Sequence, residues 1–183
     1  MKTFAEEAAL HSALISGFDP RKRIDSQFGV HCQILHAVLG CQTGVLTHPV
    51  IINMELCGHR ERVQYRPGIK ATEAEFLPDA KYLRSLLLCW WFKVQRDIAR
   101  IRELPEVEQR VWVWEEHDFL ICLEPFKSAN GRVARVVYYM LTTALKLEPH
   151  LISAEKAATY NAHKSKYRRE VFAPLMRSHG YIR

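Results

Sequence analysis

Val133 to Leu145 is apolar nearly all round and carries a single charged residue, Arg135. A helix of that composition has no face to give to water, so if helical it is central and buried. Val133, Val136 and Val137 also suit a strand. The length of the run and the absence of Gly or Pro within it favour the helix.

The rest of the chain reads as helical around it. Pro78-Asp79 supplies a start signal, after which Leu83, Leu87, Trp90, Val94, Ile98 and Ile101 recur at helical spacing until Pro105 stops them. Lys81, Arg84, Lys93, Arg96 and Arg100 form the opposite, polar face. Glu106 to Leu123 predicts another helix. Ser26 to Leu39 and Thr47 to Leu56 predict two shorter ones, divided by a Gly40–Gly44 break, with Thr47 as cap before Pro49. Between Cys57 and Pro67 the pattern turns to short alternation around Arg62, Val63, Gln64 and Tyr65, bounded by Gly58 and Pro67-Gly68, which predicts a small β-hairpin or extended flap. The expected fold is therefore mainly α with a short β-hairpin. Residues 1–44 are an N-terminal helical segment without further assignment, and residues 45–183 are the main unit.

Composition excludes several classes. At 183 residues, 48% hydrophobic and 25% charged, the chain has ordinary globular usage and enough length for one buried core. Its longest charge-free apolar run, Leu86 to Phe92, falls far short of the ~20 residues of a membrane-spanning helix. Met1 to Ala9 contains Glu6 and Glu7 and no apolar stretch of the secretory kind, so a cytoplasmic location is expected. Five cysteines without a C-x-x-C pair read as free thiols, and no metal site is expected. The formal charge is +6 and is concentrated near the end, where residues 154–183 hold seven Lys and Arg against Glu155 and Glu170. Such a tail suits an acidic partner or, as a minor alternative, nucleic acid.

The chemistry-bearing string joins two helices: Glu124-Pro125-Phe126-Lys127-Ser128-Ala129-Asn130-Gly131-Arg132, followed by Val133-Ala134-Arg135. Free N–H groups at a helix start attract anions, above all phosphate. Gly131 permits close backbone approach, and the guanidinium forks of Arg132 and Arg135 match phosphate oxygens.

This string, preceded by His117, Leu120 and Leu123, resembles the signature of the Fic domain family, H-P-F-x-[D/E]-G-N-G-R-x-x-R. Six of its nine specified positions are matched: Pro125, Phe126, Asn130, Gly131, Arg132 and Arg135. Leu46-Thr47, the flap region, Leu77-Pro78, Tyr160, Tyr167-Arg168 and Pro174-Leu175 also look like the family's order, so the resemblance covers about residue 45 to the end. It implies a Fic-like helical bundle that transfers AMP from ATP to a protein hydroxyl. In the family a histidine is the base, an acid holds magnesium, the Asn-Gly-Arg loop cradles phosphates, and the target peptide pairs with the flap.

Three positions depart from the signature: Glu124 replaces the histidine, Ser128 the metal-binding acid and Ala129 a glycine. An unperturbed Glu, near ~4.3 against ~6.5 for His, is a poor base at neutral pH unless burial raises it. Pairing of Glu124 with Arg132 or Arg135 would weaken nucleotide binding too. Ser128 offers a neutral oxygen where magnesium prefers a carboxylate, so magnesium is expected to bind weakly or not at all. Ala129 is costly if the backbone there needs a positive φ.

The resemblance thus assigns Glu124 as the catalytic position, Phe126, Ser128, Ala129, Asn130, Gly131, Arg132 and Arg135 to nucleotide binding, and Arg62–Tyr65 to the target peptide. The expectation is an impaired or inactive nucleotidyl transferase that binds ATP or another nucleotide, or a protein target or regulatory partner. An active diverged adenylyltransferase and a nucleic-acid-binding module are the alternatives. Family context adds a secreted effector without a conventional signal peptide to the cytoplasmic expectation. The family's inhibitory [S/T]-x-x-x-E-[G/N] pattern, whose Glu occupies the second arginine, is met in part by Thr3 to Glu7 but fails at Ala8. Glu124 itself is a second candidate to occupy that arginine.

Overall fold

A computed structural model describes residues 3–16, 26–40, 46–58, 62–68 and 75–182. In chain order its helices are α1 (Phe4–Ile15), α2 (Ser26–Gly40), α3 (Pro49–Cys57), α4 (Leu83–Ile101), α5 (Glu106–Leu123), α6 (Asn130–Ala144), α7 (Ala157–Tyr167) and α8 (Ala173–Ser178). A π-helical turn at Arg168–Phe172 joins the last two.

The apolar run is the central helix. Every residue of α6 from Val133 to Thr142 is buried, and α1, α2, α3 and α5 pack around it. α4 lies on α5, burying Leu83, Leu87, Trp90, Val94, Ile98 and Ile101 and leaving Arg84, Lys93, Arg96 and Arg100 outward. Asp79 accepts from the Lys81 amide (3.3 Å) to start the turn that leads into α4.

α1 was not anticipated beyond a helical N-terminal segment. Thr3 and Glu6 build a capping box, Thr3 Oγ1 accepting from the Glu6 amide (3.3 Å) and Glu6 Oε2 from the Thr3 amide (2.8 Å). Its small residues Ala5, Ala8, Ala9, Ser12 and Ala13 are buried, which lets the helix lie close against α2 and α6. α3 starts later than expected, with His48 in place of Thr47 as its cap: His48 Nδ1 accepts from the Val50 amide at 3.1 Å. The expected break after α2 falls on residues 41–45, outside the described residues.

The flap is not a hairpin in its described part. Residues 62–68 are extended, but their pairing partner is the loop before α6, through one antiparallel bridge between Tyr65 and Phe126. The Arg66 amide donates to Pro125 O (3.0 Å) and the Lys127 amide to Gln64 O (2.9 Å). The reason is geometric: α5 ends with Glu124 at φ +45°, which turns the following residues alongside the extended segment. Residues 59–61 and 69–74, where a second strand would continue, lie outside the described residues.

Because α6 is the shared wall of the bundle, truncating it is expected to be expensive. Leu141 is fully buried, and Leu141→Ala should lower unfolding free energy by about 2–5 kcal/mol. Urea denaturation followed by circular dichroism reads this directly.

Candidate functional site

The string that resembles the Fic signature forms one loop and the first turn of α6. Asn130 closes it as a staple: its Oδ1 accepts from the Phe126 amide (2.9 Å) while its Nδ2 donates to Phe126 O (2.8 Å). Phe126 is 1% exposed and stacks with Tyr65 at 6.1 Å between ring centroids, so its side chain shapes the loop from beneath. Ala129, the residue before α6, sits at φ +62°. The glycine-like conformation is thus required there, and an alanine holds it at a cost of order 1 kcal/mol.

Arg135 does not face an open cradle. It is 2% exposed and reaches back to α1, donating from Nε to Ser12 Oγ (2.8 Å) and from one terminal nitrogen to Ser12 O (2.8 Å) and Ser16 Oγ (2.7 Å). Its other terminal nitrogen lies where a Cβ on Gly131 would come within 3.2 Å. Gly131 therefore makes room for the folded-back guanidinium. The partial Thr3 to Glu7 match does not reach this arginine: Thr3 and Glu6 cap α1, and the contacts come from Ser12 and from Ser16 just past the end of the same helix. The signal was in the sequence, since Ser12 to Gly17 has the spacing of the [S/T]-x-x-x-E-[G/N] pattern with Ser16 in the acid's place.

Glu124 takes neither arginine. Its Oε1 accepts from Lys164 Nζ (3.0 Å) on α7 and from Arg168 in the π turn, while Arg66 Nε donates to its carbonyl (3.1 Å). Burial alone would raise its pKa. The two cations outweigh that and hold the carboxyl below its ordinary value of 4.5. Glu124 is consequently ionised throughout the neutral range.

Ser128 Oγ lies 3.4 Å from Cys57 Sγ, and Ser128 O accepts from Asn53 Nδ2 (3.0 Å), which ties the loop to α3. Ser128 thus presents a neutral hydroxyl to the loop, and among the described residues no three His, Cys, Asp or Glu side chains group together. Arg132 is partly exposed at the same helix start. It and Arg135 face the fully buried His31 on α2, whose pKa is pushed down to about 3 by burial and then by those two charges. His31 is thus neutral, and its Nε2 has no hydrogen-bond partner.

A buried polar chain runs behind Arg135. The Arg135 guanidinium lies 5.9 Å from the centre of the Tyr160 ring. Burial lowers the pKa of His117 despite the raising effect of Asp118, so the ring is neutral. The carboxylate can only accept, so His117 Nδ1 donates to Asp118 Oδ1 (3.0 Å), and its Nε2 accepts from the Tyr160 hydroxyl (2.9 Å). His163 Nε2 donates to Asp118 Oδ2 at 2.6 Å and brings the chain to the surface. Sequence reasoning identified His117 and Tyr160 separately. Their contact depends on α7 packing on α5, which no local pattern encodes.

Compared with known proteins, the chain matches no family model, no curated protein and no solved structure.

Two outcomes follow from this geometry. Ala129→Gly should raise stability by up to about 1 kcal/mol, because relief of the left-handed strain exceeds glycine's added unfolded-state entropy; urea melts measure it. Since the folded pKa of Glu124 is depressed, its ion pairs contribute fully above pH 4.5 and are lost as pH falls through the folded value. The stability difference between wild type and Glu124→Gln should therefore be constant from pH 5 to 7. It should shrink on acidification below 4.5, as read from denaturation curves at each pH.

Proposed function

We propose that the chain is a Fic-like protein with a degenerate nucleotide-binding motif, impaired or inactive as a nucleotidyl transferase, that acts by binding a nucleotide or a protein partner. The observation carrying this reading is the state of Glu124. At the position where the family has its base, this carboxylate is held by Lys164 and Arg168 below the ordinary carboxylate range, far from the near-neutral pKa that general-base work requires.

The nucleotide-binding half rests on the start of α6. Its first-turn amides lack intrahelical acceptors, as at any helix start, and Arg132 and Arg135 add two cations there. Phosphates would meet those amides and the Arg132 side chain, whereas Arg135 is already engaged by Ser12 and Ser16. Binding without effective magnesium assistance is the consequence of Ser128. The nucleic-acid alternative loses support because Lys164 and Arg168 of the basic tail turn inward to Glu124 and Lys166 pairs with Glu170.

Calorimetric titration with ATP, with and without magnesium, tests the reading. The expected result is saturable binding that magnesium changes little and that Arg132→Ala abolishes or weakens at least ~10-fold. No heat with ATP or other nucleoside triphosphates overturns the nucleotide half. Robust nucleotide labelling of the wild type or a partner, lost in Glu124→Ala, overturns the impaired-enzyme half in favour of an active adenylyltransferase.

A further inference from the structure

Two surface features lie at opposite ends of α4, the first of them beside the flap. At its start, α3, the extended segment 62–68 and α4 enclose a groove of about 750 Å³. Its floor is aliphatic, with Ile51 at 51% and Leu88 at 45% exposure, and its polar wall carries Arg62 and Arg84. Among the described residues no Asp or Glu lines it, and neither guanidinium has a hydrogen bond or ion pair.

Beyond the end of α4, the turn into α5 has the opposite character. Glu103, Glu106 and Glu108 are exposed around Val107, which at 73% is the most exposed large apolar residue described, and Val111 follows one turn later at 53%. Glu106 pairs with Arg110, while Glu103 and Glu108 have no side-chain partner among the described residues. Aliphatic side chains displayed in this way, rimmed by charge, mark contact surfaces.

We infer that the groove receives the acidic, valine-bearing turn Glu103–Val111 of a second copy of this chain. Charge and character complement each other: two unpaired cations over an aliphatic floor meet two unpaired carboxylates around two exposed valines. The geometry excludes self-filling, because a 19-residue helix separates the two features by roughly 27 Å. The contact joins unlike surfaces, so two copies satisfy it either reciprocally about a two-fold axis or head-to-tail in a ring or open chain. It involves neither α6 nor nucleotide and does not rest on the proposed function, although its groove includes Arg62, Val63 and Tyr65 of the flap assigned to the target peptide.

The test is sedimentation velocity on the full chain over a concentration series, with two charge-reversed variants. The wild type is expected to grow beyond 21.3 kDa as concentration rises, and less so in high salt. Arg62→Glu/Arg84→Glu and Glu103→Lys/Glu108→Lys are each expected to stay monomeric, with helical circular dichroism unchanged because all four side chains are exposed. Mixed in equal amounts, the first variant supplies an intact turn and the second an intact groove. The mixture should associate again, because the first variant's acidic turn meets the second's basic groove and the two reversed surfaces also face each other with opposite charge. Each variant alone sets like charges together, at a cost of at least ~10-fold in affinity. A wild type that remains monomeric overturns the inference. So does self-association that either variant retains, or a mixture that fails to pair, since each places the contact elsewhere or nowhere.

Discussion

A guanidinium with 2% of its surface exposed must be satisfied from within, and Arg135 finds its acceptors on two serines and a carbonyl of α1. Neutral oxygens satisfy its hydrogens without cancelling its charge. Among the described residues it has no carboxylate partner, and an arginine cannot shed its proton to escape. The start of α6 therefore carries an under-neutralised cation in addition to the helix's own partial charge. The neutral His31, whose Nε2 has no hydrogen-bond partner among the described residues, is the visible response of the surroundings.

Five residues of loop separate that cation from its counterpart. Glu124 and Ala129 both adopt left-handed backbone angles, and between them the chain makes the turn from α5 into α6. Asn130 closes the turn, Arg66 and Gln64 hold it from the flank, and Asn53 holds it from α3. Glu124 thus points away from α6 towards α7, and the two potential partners in the motif, carboxylate and second arginine, are each bound by a different outer helix. The charged groups of the loop are spent on structure.

Much of the helical framework was legible in the sequence because its cause is local. Val133–Leu145 lacks a polar face, α4 repeats its apolar residues at helical spacing, and α5 has the expected bounds. α1 was the element hardest to read: a helix that buries alanines and serines makes a weak periodic signal, although it touches the most consequential side chain. The partner of the flap was hard to read for a related reason. Alternation around Val63 and Tyr65 reports an extended chain without reporting its partner, and here the partner is a loop 60 residues on. In the site, residue identities were informative at Ala129, where the need for a positive φ was foreseen. They were silent on Lys164 and Arg168, whose pairing with Glu124 arises only when the last helices fold back.

The α1–Arg135 contact also has a kinetic side. Its hydrogen bonds join residues 123 positions apart, and closing so long a chain costs entropy that only the finished α2–α3–α6 wall repays. Synthesis delivers α1 first, yet the guanidinium it must satisfy leaves the ribosome far later. During that interval the alanine face of α1 has only α2 to rest on, and a capping box helps keep so weakly amphipathic a helix wound. Once α6 forms, α1 seats as the closing stave of the bundle, and the arginine serves as the peg that fixes its position.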